Sequence, residues 1–62
     1  MTNYQKLACF IRDVENWDAI EKITGLSDEL DDMTMDEIQI ILEEKFEKMP
    51  YKEYEKWERK FA

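Results

Sequence analysis

The chain has 62 residues, a net charge of −7 and 44% hydrophobic residues, which limits it to one small domain with one modest core. The negative charge disfavours direct binding to nucleic acid or to an anionic membrane, because both need a positive patch. With one glycine, one proline, one cysteine and no histidine, a sheet-rich fold, an internal disulfide and histidine chemistry are also disfavoured.

The first 24 residues predict two helices separated by a break. Thr2 and Gln5 have the spacing of a capping box, which starts a helix near Asn3. The apolar residues of this helix follow helical spacing: Tyr4, Leu7, Ala8, Ile11 and Val14. Residues 7–11 could also form a strand, although a lone strand would have no pairing partner.

An unbroken helix through Trp17 would let its apolar stripe drift around the cylinder, so we expect a break near Asn16. The second helix is predicted over residues 17–24, and Gly25 followed by Leu26 predicts a Schellman ending. Ser27 is expected to cap a short helical turn over residues 28–32.

Residues 34–61 predict two further helices. Thr34 and Glu37 form a capping box that starts the clearest helix in the chain. Its apolar stripe consists of Ile38, Ile41, Leu42, Phe46 and Met49. Pro50 ends this helix or starts the next one, which carries Tyr51, Tyr54, Trp57 and Phe61 along one side. The expected fold is all-α, a compact bundle of three to four short helices in a single domain over residues 1–62.

The residue types available for chemistry are few. Ser27 has no neighbour that could activate it as a nucleophile, and Cys9 lies among apolar residues, which predicts a buried inert thiol. An EF-hand loop starting at Asp32 would place Glu37 where glycine is required. We therefore expect no enzyme activity, no cofactor and no metal site. The lone cysteine and the lack of a long apolar run predict a cytoplasmic protein with no membrane contact.

The negative charge is concentrated in the middle of the chain. Residues 1–16 sum to 0, residues 17–50 to −8 and residues 51–62 to +1. Four acids are explained as first-turn residues that favour helix starts, namely Asp28, Glu29, Asp36 and Glu37. Asp31 and Asp32 are not explained in this way, nor is the absence of any cation between Lys22 and Lys45.

The third helix carries a second acidic feature. A projection at about 100° per residue places Asp36, Ile40, Glu43 and Glu47 opposite the apolar stripe, with Glu44 at their edge. Single exposed apolar residues are ordinary, but an apolar centre with a charged rim is also how small interfaces are built.

We therefore expect a non-enzymatic inhibitor or modulator that binds a larger basic protein, with the acids acting as a nucleic-acid mimic if that partner binds nucleic acid. In this general character it is similar to small acidic inhibitors of phages and mobile genetic elements. The predicted partner-binding residues are Asp28, Glu29, Asp31, Asp32, Asp36, Ile40, Glu43, Glu44 and Glu47.

The alternative is a structural protein that forms a homodimer through its aromatic and apolar helix faces. Exposed tyrosine and tryptophan are common contact residues, so Tyr51, Tyr54, Trp57 and Phe61 could belong to the core or to an interface. In this alternative the acids serve only solubility.

Overall fold

The computed structural model describes residues 2–61. Over these residues the chain forms four α-helices, one 3₁₀ helix and no strand, which confirms the all-α bundle. The helices are α1 (Asn3–Asp13), α2 (Trp17–Thr24), α3 (Met35–Lys48) and α4 (Tyr51–Phe61), and the 3₁₀ helix (Asp28–Asp32) lies between α2 and α3. Residues 7–11 are therefore helical.

Helix α1 begins at the predicted capping box and ends in a left-handed turn. Gln5 N–H donates to Thr2 Oγ1 (3.2 Å), and Thr2 N–H donates to Gln5 Oε1 (2.8 Å). At the other end Glu15 has φ 52°, and Asn16 N–H donates to the carbonyl of Ile11. This is a Schellman ending, so Val14 lies beyond the helix and is exposed instead of extending the apolar stripe.

Helix α2 starts and ends at the predicted residues, but its final turn is of another type. Asn16 Oδ1 accepts from Ala19 N–H (3.2 Å). Gly25 has φ 73°, and its N–H donates to the carbonyl of Glu21 (2.9 Å). Leu26 N–H donates to the Thr24 hydroxyl (3.2 Å). The ending is thus the single-bond left-handed type and not the predicted Schellman motif.

The predicted cap at Ser27 is wrong, and the one at Thr34 is confirmed. The Ser27 side chain makes no capping hydrogen bond, and Ser27 N–H instead donates to the Glu29 carboxylate (3.1 Å). At α3, Glu37 N–H donates to Thr34 Oγ1 (3.2 Å), and Thr34 N–H donates to Glu37 Oε1 (3.4 Å). Pro50 directly precedes α4, and its carbonyl accepts from Tyr54 N–H (3.1 Å).

Helix α3 forms the centre of the core, where it packs against α1 and α2. Its Ile38, Leu42 and Phe46 are fully buried together with Ile11 of α1 and Ile20 of α2. Burial of each such side chain contributes about 1.5–3 kcal/mol. The position of α3 fixes which of its faces remains open to solvent.

Helix α4 packs on α1, and its aromatic residues divide between core and surface. Tyr54 is 3% exposed, whereas Tyr51 is 67% exposed. The Tyr54 ring makes edge contacts with Tyr4 (centroids 4.9 Å apart) and Phe46 (5.5 Å). Trp57 and Phe61 are partly buried against the core. The predicted stripe is therefore neither wholly core nor wholly exposed.

Candidate partner-binding surface

The exposed face of α3 and the first turn of α1 enclose an open groove of about 440 Å³. From α3, four of the predicted partner-binding residues line it: Ile40, Glu43, Glu44 and Glu47. Ile40 is 55% exposed, Glu44 and Glu47 are exposed, and Glu43 is half-buried. We call these four residues, with the α1 residues opposite them, the acidic groove.

The opposite wall of the acidic groove comes from α1 and is formed by Thr2, Tyr4 and Gln5. The reciprocal hydrogen bonds of the capping box hold Thr2 and Gln5 in place. Tyr4 is held by the edge contact of its ring with Tyr54. This wall supplies neutral polar groups and aromatic surface, so the negative charge of the groove comes from α3 alone.

The glutamates of the acidic groove have no cation paired with them within residues 2–61. The ion pairs within residues 2–61 join Arg12 to Asp13 and Asp36, and Arg59 to Glu55. No lysine of α4 lies over the groove as an ion-pair partner of Glu43, Glu44 or Glu47 in that part of the chain. None of these three glutamates is therefore neutralised by a lysine or arginine of the described residues.

Asp36 lies one turn before Ile40 on α3 and has a different environment. Its carboxylate is 3.7 Å from Arg12 Nη1, and Arg12 also donates to Gln39 and to Asp13. The hydrogen bond with Asp13 is the main cause that raises the pKa of Arg12. Asp36 is thus exposed but partly compensated, and it does not line the acidic groove.

The four predicted acids of the 3₁₀ helix form a separate group. Asp28, Glu29, Asp31 and Asp32 are all exposed. Asp31 lines a smaller groove of about 210 Å³ with Trp17, Glu21, Ser27 and Leu30. Hydrogen bonds from the backbone N–H groups of Glu29 and Ser27 lower the pKa of Glu29, so this carboxylate stays ionised while it caps the turn.

Residues 2–61 contain neither a metal-binding cluster nor a membrane-spanning helix. No group of three or more Asp, Glu or Cys side chains there is arranged to hold a metal ion, and residues 35–43 of the loop that starts at Asp32 are helical. No helix in that part of the chain is long and apolar enough to cross a membrane. Comparison with known protein families, curated proteins and solved structures gives no match for this chain.

Proposed function

We propose that this protein is a non-enzymatic binding module that inhibits or modulates a larger basic protein through its acidic groove. The observation that carries the proposal is the position of Ile40, an exposed apolar side chain in a groove with three glutamates. An apolar centre that excludes water within a charged rim is the arrangement found in protein interfaces.

The charge of the acidic groove selects a basic partner. Because Glu43, Glu44 and Glu47 have no paired cation among residues 2–61, their potential reaches into solvent and attracts lysine and arginine side chains. Such attraction raises the association rate and weakens as salt increases, since the Debye length falls from about 10 Å at 0.1 M to about 3 Å at 1 M.

The size of the groove is suited to side chains of the partner. Its volume of about 440 Å³ lies within the range of about 300–1,000 Å³ that is typical of ligand clefts. A lysine or arginine side chain could place its aliphatic part against Ile40 and its charged end between the glutamates.

The spacing of the glutamates is compatible with a partner that binds nucleic acid. Glu43 and Glu47 are one helical turn apart, a rise of about 6 Å. Two phosphate steps along one strand rise about 7 Å. The two carboxylates could therefore take the places of two phosphates in a basic groove of the partner.

The experiment is capture of partners from cell extract on immobilised protein at about 50 mM and about 500 mM salt. Three forms are compared: wild type, Glu43→Lys with Glu47→Lys, and Glu15→Lys with Glu53→Lys. Both double variants change the net charge from −7 to −3. Glu15 and Glu53 are exposed acids outside residues 28–47, so the second variant controls for total charge.

We expect wild type and the control variant to retain a basic partner at low salt and to lose it at high salt, and the groove variant to retain none. A partner that binds all three forms equally would contradict the proposal. Duplex DNA and single-stranded RNA added as competitors then test the phosphate replacement, because a nucleic-acid-binding partner would be released by one of them.

A further inference from the structure

We infer that the face formed by α1 and α4 docks a second copy of this chain. The face carries an aromatic surface of three contiguous rings, Phe10, Phe61 and Trp57. The Phe10 and Phe61 centroids are 6.0 Å apart, and those of Phe61 and Trp57 are 6.3 Å apart. Phe10 is 45% exposed and Val14, one turn further on, is 48% exposed. Apolar residues adjoining on one face, unlike scattered ones, indicate a contact site.

A groove of about 250 Å³ runs beside the aromatic surface between α1 and α4. The two helices are parallel, because Tyr4 meets Tyr54 at one end and Phe10 meets Phe61 at the other. The walls of the groove carry opposite charges, Lys6 from α1 and Glu58 from α4. A twofold axis that runs along this groove, between the two copies, would place Lys6 of each copy opposite Glu58 of the other. These reciprocal contacts are those of an isologous interface.

The charge distribution selects a second copy as the occupant. Residues 1–16, which include α1, sum to 0, and residues 51–62, which include α4, sum to +1. The remaining residues sum to −8, so two copies that met through α3 would repel each other strongly. At the α1–α4 face, two molecules of net charge −7 would contact each other through nearly neutral segments. Their Lys6 and Glu58 side chains would form complementary charge pairs.

The small area of this face limits how tightly two copies are expected to associate. Two parallel helices of 11 residues present a face about 16 Å long and about 20 Å wide. This is smaller than the roughly 800 Å² per partner of a standard interface. We therefore expect a weak dimer, with a micromolar rather than nanomolar dissociation constant.

The second copy would leave the acidic groove open. Gln5, which lines the acidic groove, and Phe10 lie about 140° apart around α1 at 100° per residue. The aromatic surface and the acidic groove therefore lie on different sides of α1. A dimer of this kind carries two outward acidic grooves, although the dimer itself does not depend on the function proposed for them.

Sedimentation equilibrium from about 1 to about 500 µM protein covers the expected range of dissociation constants. The wild-type mass should rise from 7.6 kDa towards twice that value. Phe10→Glu should raise the dissociation constant at least about tenfold, because it places a charge in the apolar centre. The matched control is Ile40→Glu, which also replaces an exposed apolar residue with glutamate and should change it less than about twofold.

Circular dichroism would establish that both variants are folded. If Phe10→Glu unfolds, Val14→Glu replaces it, because Val14 is exposed and lies just beyond α1. A wild-type chain that stays at 7.6 kDa up to about 500 µM overturns the inference and leaves the aromatic surface to a partner of another sequence. The inference is also overturned if Ile40→Glu weakens the dimer as much as Phe10→Glu does. It is overturned as well if neither Phe10→Glu nor Val14→Glu weakens the dimer. Partner capture by the acidic groove is unaffected by these outcomes.

Discussion

Glu15 has the one positive φ among the non-glycine residues of the described chain, 52°. A residue with a Cβ atom in this left-handed region destabilises the fold by about 1–2 kcal/mol. Here the left-handed conformation of Glu15 closes the Schellman turn that ends α1. The sequence predicts a break near Asn16 but offers no glycine for it, so the strain could not be located from the residue types.

Glu15→Gly should therefore raise the free energy of unfolding by about 1 kcal/mol, since glycine adopts positive φ without strain but loses some entropy on folding. For a domain of this size the melting temperature should increase by about 4–8 °C. Thermal melting measured by circular dichroism checks this. Glu15→Gln removes the charge and keeps the Cβ atom, so a rise of equal size in that variant would refute the strain explanation.

Tyr54 is buried, and its hydroxyl donates to Glu58 (3.1 Å). Burial, with the Glu58 contact as a second cause, raises the pKa of Tyr54 to about 12, compared with about 10 for an exposed tyrosine. Because the folded state holds the proton more tightly, the contribution to stability is complete below about pH 10 and is lost as the pH rises towards 12.

A titration followed by tyrosinate absorbance tests this shift. Tyr54→Phe should remove the component with a pKa of about 12 and leave the remaining titration unchanged. If the wild-type and Tyr54→Phe curves differ only in a component near pH 10, the burial explanation fails.

Leu42 and Ile40 lie two positions apart on α3 and differ in environment. Leu42 is fully buried, whereas Ile40 is exposed. Leu42→Ala should lower the free energy of unfolding by about 2–5 kcal/mol, a large part of the roughly 3–9 kcal/mol expected for 62 residues. Ile40→Ala should change it by less than about 0.5 kcal/mol. Urea denaturation of both variants checks the orientation of α3, and similar losses would contradict it.

Side-chain caps start α1, α2 and α3, and the capping Thr34 can be compared with the non-capping Ser27. Thr34 accepts from Glu37 N–H at the start of α3, whereas the Ser27 side chain makes no capping hydrogen bond. Thr34→Ala should lower the free energy of unfolding by about 1 kcal/mol. Ser27→Ala should have an effect below about 0.5 kcal/mol. Chemical denaturation distinguishes them, and a larger loss at Ser27 would contradict the described capping.

The boundaries of the helices were predictable because local signals set them. The capping boxes at Thr2 and Thr34, Asn16 before α2 and Gly25 after it act within a few residues of the chain. Ser27 has a residue type suited to a cap, but the Leu30 N–H, from which its side chain could accept, donates to the Ser27 carbonyl instead. The spacing of the α4 aromatics predicted one face, yet only the contact with α1 decides that Tyr54 is buried and Tyr51 is not.

The acidic groove was predictable only from its α3 side. Helical periodicity places Ile40, Glu43 and Glu47 on one face, and the structure brings these residues together with Glu44. The α1 wall of Thr2, Tyr4 and Gln5 was missed, because contacts between separate helices leave no local signal in one sequence. The pairing of Arg12 with Asp36 depends on the same contact.

The whole molecule combines two unlike surfaces on different sides of α1. One side carries Glu43, Glu44 and Glu47 of α3, which line the acidic groove. The other carries the aromatic surface and a nearly neutral charge. Since the segment of residues 17–50 carries −8, long-range attraction of cations should act mainly on the first side and apolar contact on the second.

The most direct test of the acidic groove is the association rate with the captured basic partner, measured at several salt concentrations. Wild type should associate fast and lose rate steeply as salt increases. Glu43→Lys with Glu47→Lys should associate at least about tenfold more slowly at low salt, while Glu15→Lys with Glu53→Lys should stay within about threefold of wild type. Equal rates for the two double variants would contradict a groove-directed interaction and indicate that total charge alone attracts the partner.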